Sequence, residues 1–189
     1  MNFANPFEEK EYIGRESLKD LISLFPEKFK NVEMKFTEDY YCAYDAFFFD
    51  YDENYSIKKR TFVEIKCRDQ VYPDYILETK KYNAIKKIAE KELYLKPEEY
   101  RIIYINFTPK GTYFWNISDM SSQRPHKGHY NKATAKSKTD KVDKMVYDMD
   151  PEKGKFINYI YNKEMILRRT LNNRIVEEVK KQKGFILPF

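Results

Sequence analysis

The sequence predicts an α/β protein with a mixed central sheet flanked by helices. The patterns run in the order amphipathic helix, three strand-like segments, second helix and two further strand-like segments. Such an order favours a mixed sheet whose faces are covered by helices. The 189 residues, of which 42% are hydrophobic, suffice for one well-packed domain and are few for two. We therefore expect one domain over residues 1–150 and a helical C-terminal extension over residues 151–189.

The N-terminal helix is predicted over Glu8 to Phe25. Apolar residues recur there every three or four positions, as one face of an amphipathic helix requires. These residues are Tyr12, Ile13, Leu18, Leu21, Ile22 and Phe25. Pro26 discourages any continuation of the helix, because proline lacks the backbone N–H and clashes with the preceding turn.

Three strands are predicted next, since aromatic and β-branched residues dominate the segments Val32 to Phe36, Tyr40 to Tyr51 and Arg60 to Arg68. The polar run Asp50 to Asn54 joins the last two segments and favours an antiparallel hairpin. A turn centred near Ser56 places Asp45 about opposite Cys67. A slip of one residue in this register would turn the Asp45 side chain to the other face of the sheet.

The rest of the chain is predicted as a helix, a strand pair, a loop, a short strand and a second long helix. These segments are, in order, Glu78 to Leu95, Tyr100 to Phe107 with Thr112 to Ile117, Asp119 to Asp140, Lys141 to Met149 and Phe156 to Lys183. The loop lacks periodicity, and loops of this length are usually functional or mobile. We expect the short strand to return to the central sheet. The last helix carries an apolar stripe that would pack on the core, a partner subunit or a larger assembly.

Cysteine usage and hydropathy predict where the protein works. Cys42 and Cys67 lack CxxC spacing, and no signal-peptide pattern opens the chain, so a reducing cytoplasmic location is expected. No apolar run approaches the roughly 20 residues that cross a bilayer, so no membrane span is expected.

A basic segment lies within the predicted loop. Although the net charge is only +5, residues 121–139 contain no acidic residue. Their basic side chains are Arg124, Lys127, Lys132, Lys136 and Lys138, accompanied by His126 and His129. We interpret this segment as a nucleic-acid-binding loop, with an ordinary solvated loop as the alternative.

An acid-x-lysine pattern carries the strongest chemical signal. It recurs at several places, but only Glu64-Ile65-Lys66 follows a strand-borne acid, Asp45; the rival Glu33-Met34-Lys35 does not. Side chains at i and i+2 of a strand share a face, so Glu64 and Lys66 project together. Two carboxylates beside an ammonium can hold a hard divalent cation and place a water near a phosphate. The pattern predicts phosphodiester hydrolysis, whereas the alternative is a solvent-facing charge pair.

These residues resemble the active-site signature of the PD-(D/E)XK nuclease superfamily, in which an acid at the end of one strand precedes an acid-x-lysine motif on the next. Asp45 matches the first acid, and Glu64 to Lys66 match the motif. Tyr44 stands where the signature has proline. The resemblance covers roughly Glu8 to Trp115. It implies a restriction-endonuclease-like fold and a metal-dependent deoxyribonuclease.

The resemblance also implies the cofactor and the supporting residues. Mg²⁺ or Mn²⁺ would be bound by Asp45, Glu64 and the carbonyl of Ile65. In many members an N-terminal helix adds a glutamate, and either Glu16 or Glu11 would supply it. A later helix often presents a lysine, for which Lys81 is the candidate and Lys80 the alternative. The implied catalytic set is Asp45, Glu64, Lys66, Lys81 and Glu16.

Two other classes of protein stay open at this point. One is a catalytically inactive nucleic-acid-binding or structural protein with the same fold. The other is an interaction protein of a phage or mobile element, whose aromatic surface and C-terminal helix serve a homo-oligomer or a larger assembly. Small nucleases of this superfamily rich in Lys, Asn and Tyr are common in such elements. A phage-encoded protein would act on DNA in the host cytoplasm or reside in the virion.

Overall fold

The computed structural model describes residues 6–38, 42–131, 141–161 and 163–168. The helices are α1 (Pro6–Ser23), α2 (Thr79–Lys87) and α3 (Lys163–Arg168), with 3-10 turns at Pro26–Phe29, Pro97–Glu99 and Pro151–Lys153 and a π-helical turn at Ile88–Glu92. The strands are β1 (Val32–Phe36), β2 (Ala46–Tyr51), β3 (Ile57–Cys67), β4 (Tyr75–Glu78), β5 (Tyr100–Thr108), β6 (Gly111–Asn116), β7 (His126–Asn131), β8 (Lys141–Met149) and β9 (Lys155–Ile157).

The centre of the fold is a six-stranded sheet with the order β1-β2-β3-β5-β6-β9. Strands β3 and β5 pair in parallel, and every other neighbouring pair in this sheet is antiparallel. The predicted α/β class with a mixed sheet is therefore confirmed. The parallel pair brings Lys66 beside Asn106.

Each face of this sheet has its own hydrophobic core. Helix α1 covers one face, where Leu18 and Leu21 pack with Val63 and Ile105. Helix α2 and the small sheet cover the other face; the side chains buried there include Phe62, Tyr75, Leu77, Tyr82, Ile85, Tyr104 and Trp115. Successive residues of a strand point to opposite faces, so Glu64 and Lys66 share the α2 face with Phe62.

Helix α1 confirms the predicted amphipathic pattern, because Ile13, Leu18 and Leu21 are buried. The helix approaches β3 closely at Gly14, where an added Cβ would lie 2.8 Å from Cγ2 of Ile65. Helix α2 is shorter than predicted, since a π-helical turn replaces its last part and Tyr94 follows with a positive φ of 54°. No helix in the described residues is long and apolar enough to cross a membrane.

The hairpin of β2 and β3 has a different register from the predicted one. Ala46 pairs with Val63, so Asp45 does not lie opposite Cys67. The carboxylate of Asp52 accepts the N–H groups of Asn54 and Ser56 and so fixes an earlier turn centre, and the pairing shifts between Asp50 and Tyr51. The register thus brings the Asp45 N–H to the carbonyl of Val63, at 2.8 Å.

A separate three-stranded sheet with the order β4-β8-β7 corrects three predictions. Strand β8 does not return to the central sheet, β4 was not predicted, and β7 occupies part of the predicted loop. Strand β7 lacks an apolar pattern because it is an exposed edge strand. Backbone pairing with β8, and not the burial of its own side chains, holds it in the sheet. Residues 132–140 of the predicted loop lie outside the described part of the chain.

The prediction of a continuous helix from Phe156 to Lys183 is also wrong at its start. Strand β9 pairs with β6 and buries Ile157, so the central sheet continues past residue 150. Strand β9 has only three residues, and so short a segment shows no periodicity that would distinguish a strand from a helix. Helix α3 lies within the predicted range, and residues 169–189 lie outside the described ones.

Candidate active site

The structure brings Asp45, Glu64, Lys66 and Lys81 together and adds Glu11. Asp45 directly precedes β2, whereas Glu64 and Lys66 lie on β3 and face α2. Helix α1 contributes Glu11, and α2 contributes Lys81. The cluster is a junction of two strands and two helices, so its geometry depends on tertiary packing.

Glu64 is the buried centre of this cluster, with 1% of its surface exposed. One carboxylate oxygen lies 2.5 Å from Nζ of Lys66, and the other lies 3.3 Å from Nζ of Lys81. Burial and the neighbouring charge of Asp45 raise the pKa of Glu64, while the two lysines act in the opposite direction. The ionised carboxylate is therefore costly and needs positive partners.

Asp45 is equally buried, and its carboxylate Oδ2 accepts the N–H of Ile65 at 2.6 Å. Burial, opposed by Lys66 and reinforced by Glu11, raises the pKa of Asp45 to about 6. The backbone holds this residue from the other side as well, because the N–H of Thr37 donates to the Asp45 carbonyl. Arg15 of α1 donates to the carbonyl of Thr37, so α1 is tied to this segment.

Lys66 is the half-buried cation that the acids share. Burial acts to lower the pKa of Lys66, but the carboxylates of Glu64, Asp45 and Glu11 outweigh burial and raise it. The ammonium therefore stays protonated at neutral pH. A protonated lysine is a hydrogen-bond donor and a positive charge, and it has no lone pair with which to accept a proton.

Glu11, not Glu16, is the helix glutamate at the cluster. Its carboxylate, 8% exposed, lies 4.0 Å from Nζ of Lys66. Glu16 forms an ion pair with Lys19 at 2.5 Å instead. Five residues correspond to a rotation of about 140° around a helix, so Glu11 and Glu16 project in different directions. Glu11 projects about 20° from Leu18 around the helix, and Glu16 about 160° from it, so the apolar periodicity favoured Glu11 although the sequence analysis left both open.

Lys81 occupies the position proposed for the helix lysine. Its ammonium donates to the carbonyl of Cys42 at 2.8 Å and to Glu64 at 3.3 Å. Its neighbour Lys80 is exposed. The rival pair Glu33 and Lys35 is an exposed ion pair on β1, away from this cluster.

The donor set of the cluster suits a hard cation. Three carboxylates and two ammonium groups leave one net negative charge, and carboxylate oxygens are the ligands that Mg²⁺ prefers. A cation bound by Asp45 and Glu64 would offset the desolvation and repulsion that raise their pKa values. In this structure the carboxylates of Asp45 and Glu64 interact with lysines and with a backbone N–H group. The described residues contain no group of three Asp, Glu, His or Cys side chains close enough together to hold a metal ion as they stand.

The predicted basic segment is only partly described. Arg124 and Lys127 are exposed, and Lys127 pairs with Asp143 of β8 at 2.7 Å. His126 and His129 lie near Asp148 and Asp143 of the same strand. Lys132, Lys136 and Lys138 lie outside the described residues. The acids of β8 thus offset the basic character that β7 shows in the sequence.

Sequence reasoning missed three polar residues next to Lys66. Arg68 donates from Nε to Asn106 Oδ1 at 3.0 Å and from Nη2 to the Tyr104 hydroxyl at 3.3 Å. The alternation that joined Glu64 to Lys66 extends to Arg68, so Arg68 was detectable. Asn106 and Tyr104 were not, because only the pairing of β3 with β5 brings them here.

Comparison with known proteins finds no family model, curated protein or solved structure that matches this chain. The functional argument therefore depends on the sequence motif and the geometry of the cluster.

Proposed function

We propose that this protein is a Mg²⁺-dependent nuclease that hydrolyses phosphodiester bonds of DNA, in the DNA processing of a phage or mobile element. The observation that carries the proposal is the convergence of Asp45 and Glu64 on Lys66 in a buried cluster. Acids that are buried at a cost to stability are typical of functional sites. A solvent-facing charge pair would show none of this burial.

The arrangement of elements supports the restriction-endonuclease-like fold within this proposal. An acid next to one strand precedes an acid-x-lysine motif on the adjacent strand, as the superfamily signature requires. A glutamate from the N-terminal helix and a lysine from the helix after the motif strand reach the same cluster. Tyr44 replaces the proline of the signature and packs edge-on against Phe62, with ring centroids 5.1 Å apart.

Asp45, Glu64 and the carbonyl of Ile65 would bind the metal ion. Bound Mg²⁺ or Mn²⁺ supplies polarisation of the scissile phosphate and a lowered pKa of a coordinated water. The Lys66 ammonium orients that water as a hydrogen-bond donor and offsets the negative charge that develops on the phosphate. The neighbouring carboxylates raise the pKa of Lys66, which favours the protonated, donating form of its side chain. Glu11 keeps Lys66 protonated and positioned.

Cleavage assays test the proposal directly. Linear and circular DNA are incubated with purified protein and Mg²⁺ or Mn²⁺, beside an EDTA control and Glu64→Ala. We expect metal-dependent cleavage that Glu64→Ala abolishes, and the topology cut distinguishes endonuclease from exonuclease. Glu11→Gln should lower the rate by about tenfold to a thousandfold.

Glu16→Gln is the matched control for Glu11→Gln, since it removes a carboxylate from the same helix outside the cluster. Equal activity of Glu64→Ala and wild type, both folded, would refute the assignment. DNA binding without any cleavage would instead support the second candidate, an inactive nucleic-acid-binding protein with the same fold. That candidate gains weight from the lysines that engage both oxygens of Glu64.

A further inference from the structure

Arg68 is a fixed cation beside the acidic cluster. Its backbone N–H donates to the carbonyl of Phe107 at 2.8 Å, so it continues β3 alongside β5. The guanidinium binds Asn106 and Tyr104 and lies 5.8 Å from the ring centre of Tyr72. The Tyr161 hydroxyl donates to the Arg68 carbonyl at 3.0 Å. Both the backbone and the side chain are therefore positioned before any ligand binds.

The charge of Arg68 is not neutralised by its protein partners. Within the described residues no carboxylate forms an ion pair with it, and its acceptors are a neutral amide and a phenol. The Tyr104 hydroxyl in turn donates to the carbonyl of Ile76 at 2.7 Å, which directs its lone pair toward Arg68. A half-buried arginine with only neutral acceptors retains its attraction for an anion.

Asn106 supplies a second donor without a partner. The residue is 0% exposed, its Oδ1 accepts from Arg68, and its Nδ2 has no hydrogen-bond partner. A buried amide donor left unpaired is destabilising, and such groups in native proteins require an explanation. Asn106 also pairs in register with Lys66, so its side chain lies next to the acidic cluster on the same face of the sheet.

We propose that Arg68 and Asn106 form a phosphate subsite that binds a backbone phosphate of the nucleic acid adjacent to the scissile one, which a metal ion on Asp45 and Glu64 would polarise. The phosphate oxygens accept from the guanidinium of Arg68, and the buried Asn106 orients that guanidinium through its Oδ1. The identity of the ligand as a phosphodiester rests on the proposed nuclease function. The subsite fixes the register of the strand and reads no base, because phosphate contacts carry no sequence information.

The test measures DNA affinity without catalysis. Fluorescence anisotropy of a short labelled DNA duplex is recorded in EDTA over a range of salt concentrations, for wild type, Arg68→Ala, Arg68→Lys and Asn106→Asp. We expect Arg68→Ala to weaken binding by about tenfold or more and to reduce the salt slope by about one. Arg68→Lys should restore little, since lysine lacks the planar fork that Asn106 and Tyr104 orient.

Asn106→Asp keeps Arg68 and changes only its partner. The new carboxylate forms an ion pair with the guanidinium and replaces the orphaned donor, so we expect a loss of affinity comparable to that of Arg68→Ala. Arg60→Ala is the control, because Arg60 lies on the same strand eight residues earlier, about 26 Å away. It should change affinity less than twofold.

The outcomes separate this proposal from the nuclease itself. Reduced thermal stability of Arg68→Ala with unchanged affinity of the folded fraction would mean a purely structural tie, and would overturn the subsite. Wild type that fails to bind DNA would overturn it as well. Loss of affinity in a protein that never cleaves DNA would uphold the subsite and refute the nuclease. Cleavage by Arg68→Ala with an unchanged KM would support the nuclease and refute the phosphate subsite.

Discussion

At the scale of single residues, Lys66 determines whether three carboxylates can share one buried position. It lies 2.5 Å from Glu64 and 4.0 Å from Glu11, and its charge counteracts the burial of Asp45. The acids in turn raise the pKa of Lys66. Removal of Lys66 leaves buried carboxylates without their shared counter-charge in a low-dielectric environment, so the charge balance of this cluster affects the stability of the fold.

Lys66→Met should destabilise the fold by about 3 kcal/mol, because Glu64 loses its nearest counter-charge while it stays buried. Urea titration at pH 8 measures this difference. The double variant Glu64→Gln with Lys66→Met should recover most of the lost stability, since the buried charge is gone, yet remain inactive. Additive losses in the double variant would contradict the coupling.

Asp45→Asn should stabilise the protein at pH 8 and inactivate it. The folded-state pKa of Asp45 is about 6, above the ordinary value of 3.8, so folding favours the protonated form. The associated stability is complete below about pH 4 and is lost as the pH rises through 6. Asparagine avoids that loss, which amounts to about 3 kcal/mol at most. Thermal melts of wild type and Asp45→Asn at pH 8 and pH 4 measure the gain in stability. A gain of the same size at both pH values would show that it does not arise from the raised pKa of Asp45.

At the scale of elements, the close contact between α1 and β3 sets the position of Glu11. Gly14 permits this contact, because it lies against the side chain of Ile65. Ile65 is buried and stands between Glu64 and Lys66 in the sequence. Arg15 adds a polar tie from α1 to Thr37, which binds the Asp45 backbone. The helix thus carries one carboxylate of the cluster and part of the scaffold for a second one.

Gly14→Ala should destabilise the protein and impair the site. An added Cβ would lie 2.8 Å from Cγ2 of Ile65, and the buried Ile65 cannot swing away. Overpacking of this kind costs about 1–3 kcal/mol, which exceeds the gain of about 1 kcal/mol from better helix propensity. Chemical denaturation gives the net change, and cleavage kinetics give the displacement of Glu11. Glu16→Ala, on the same helix, should leave the stability and the cleavage kinetics unaffected. If Gly14→Ala also changed neither quantity, the contact between α1 and β3 would not be tight.

At the scale of the whole molecule, the two sheets behave as parts of one structure. The sole tryptophan, Trp115 of β6, is 5% exposed and donates from Nε1 to the carbonyl of Asp150, just after β8. Tyr75 of the small sheet packs against it, with ring centroids 5.4 Å apart. The small sheet therefore completes the core on the α2 face.

Tryptophan fluorescence and far-UV circular dichroism should show coincident unfolding transitions. Trp115 reports the junction of the two sheets, and its burial by both makes separate unfolding costly. A guanidinium titration followed by both signals measures this. A fluorescence change at lower denaturant than the loss of secondary structure would show that the small sheet opens independently, and Tyr75→Ala should then shift only the fluorescence transition.

Local patterns were sufficient for much of the fold and part of the site. The motif Glu64-Ile65-Lys66 and the acid Asp45 were identified from alternation and strand propensity, whereas Lys81 was a candidate only through the family resemblance. Strand β7 was missed because an exposed edge strand needs no apolar pattern. Strand β9 was missed because three residues are too few for periodicity to be read. The sequence analysis left Glu11 and Glu16 as alternatives, although Glu11 lies on the side of α1 that carries Leu18 and Leu21 and packs on the sheet.

By itself, the sequence determined the α/β class, the order of the main elements and the pair of side chains that projects from β3, because periodicity and propensity are properties of neighbouring residues. Only the tertiary structure decided the register that places Asp45 beside Glu64, the position of α1 on the sheet that brings Glu11 to Lys66 and the parallel pairing that brings Asn106 to Lys66 and Arg68. Those decisions depend on contacts between residues far apart in the chain, where the burial of both partners sets the energy. Local patterns carry no information about that energy.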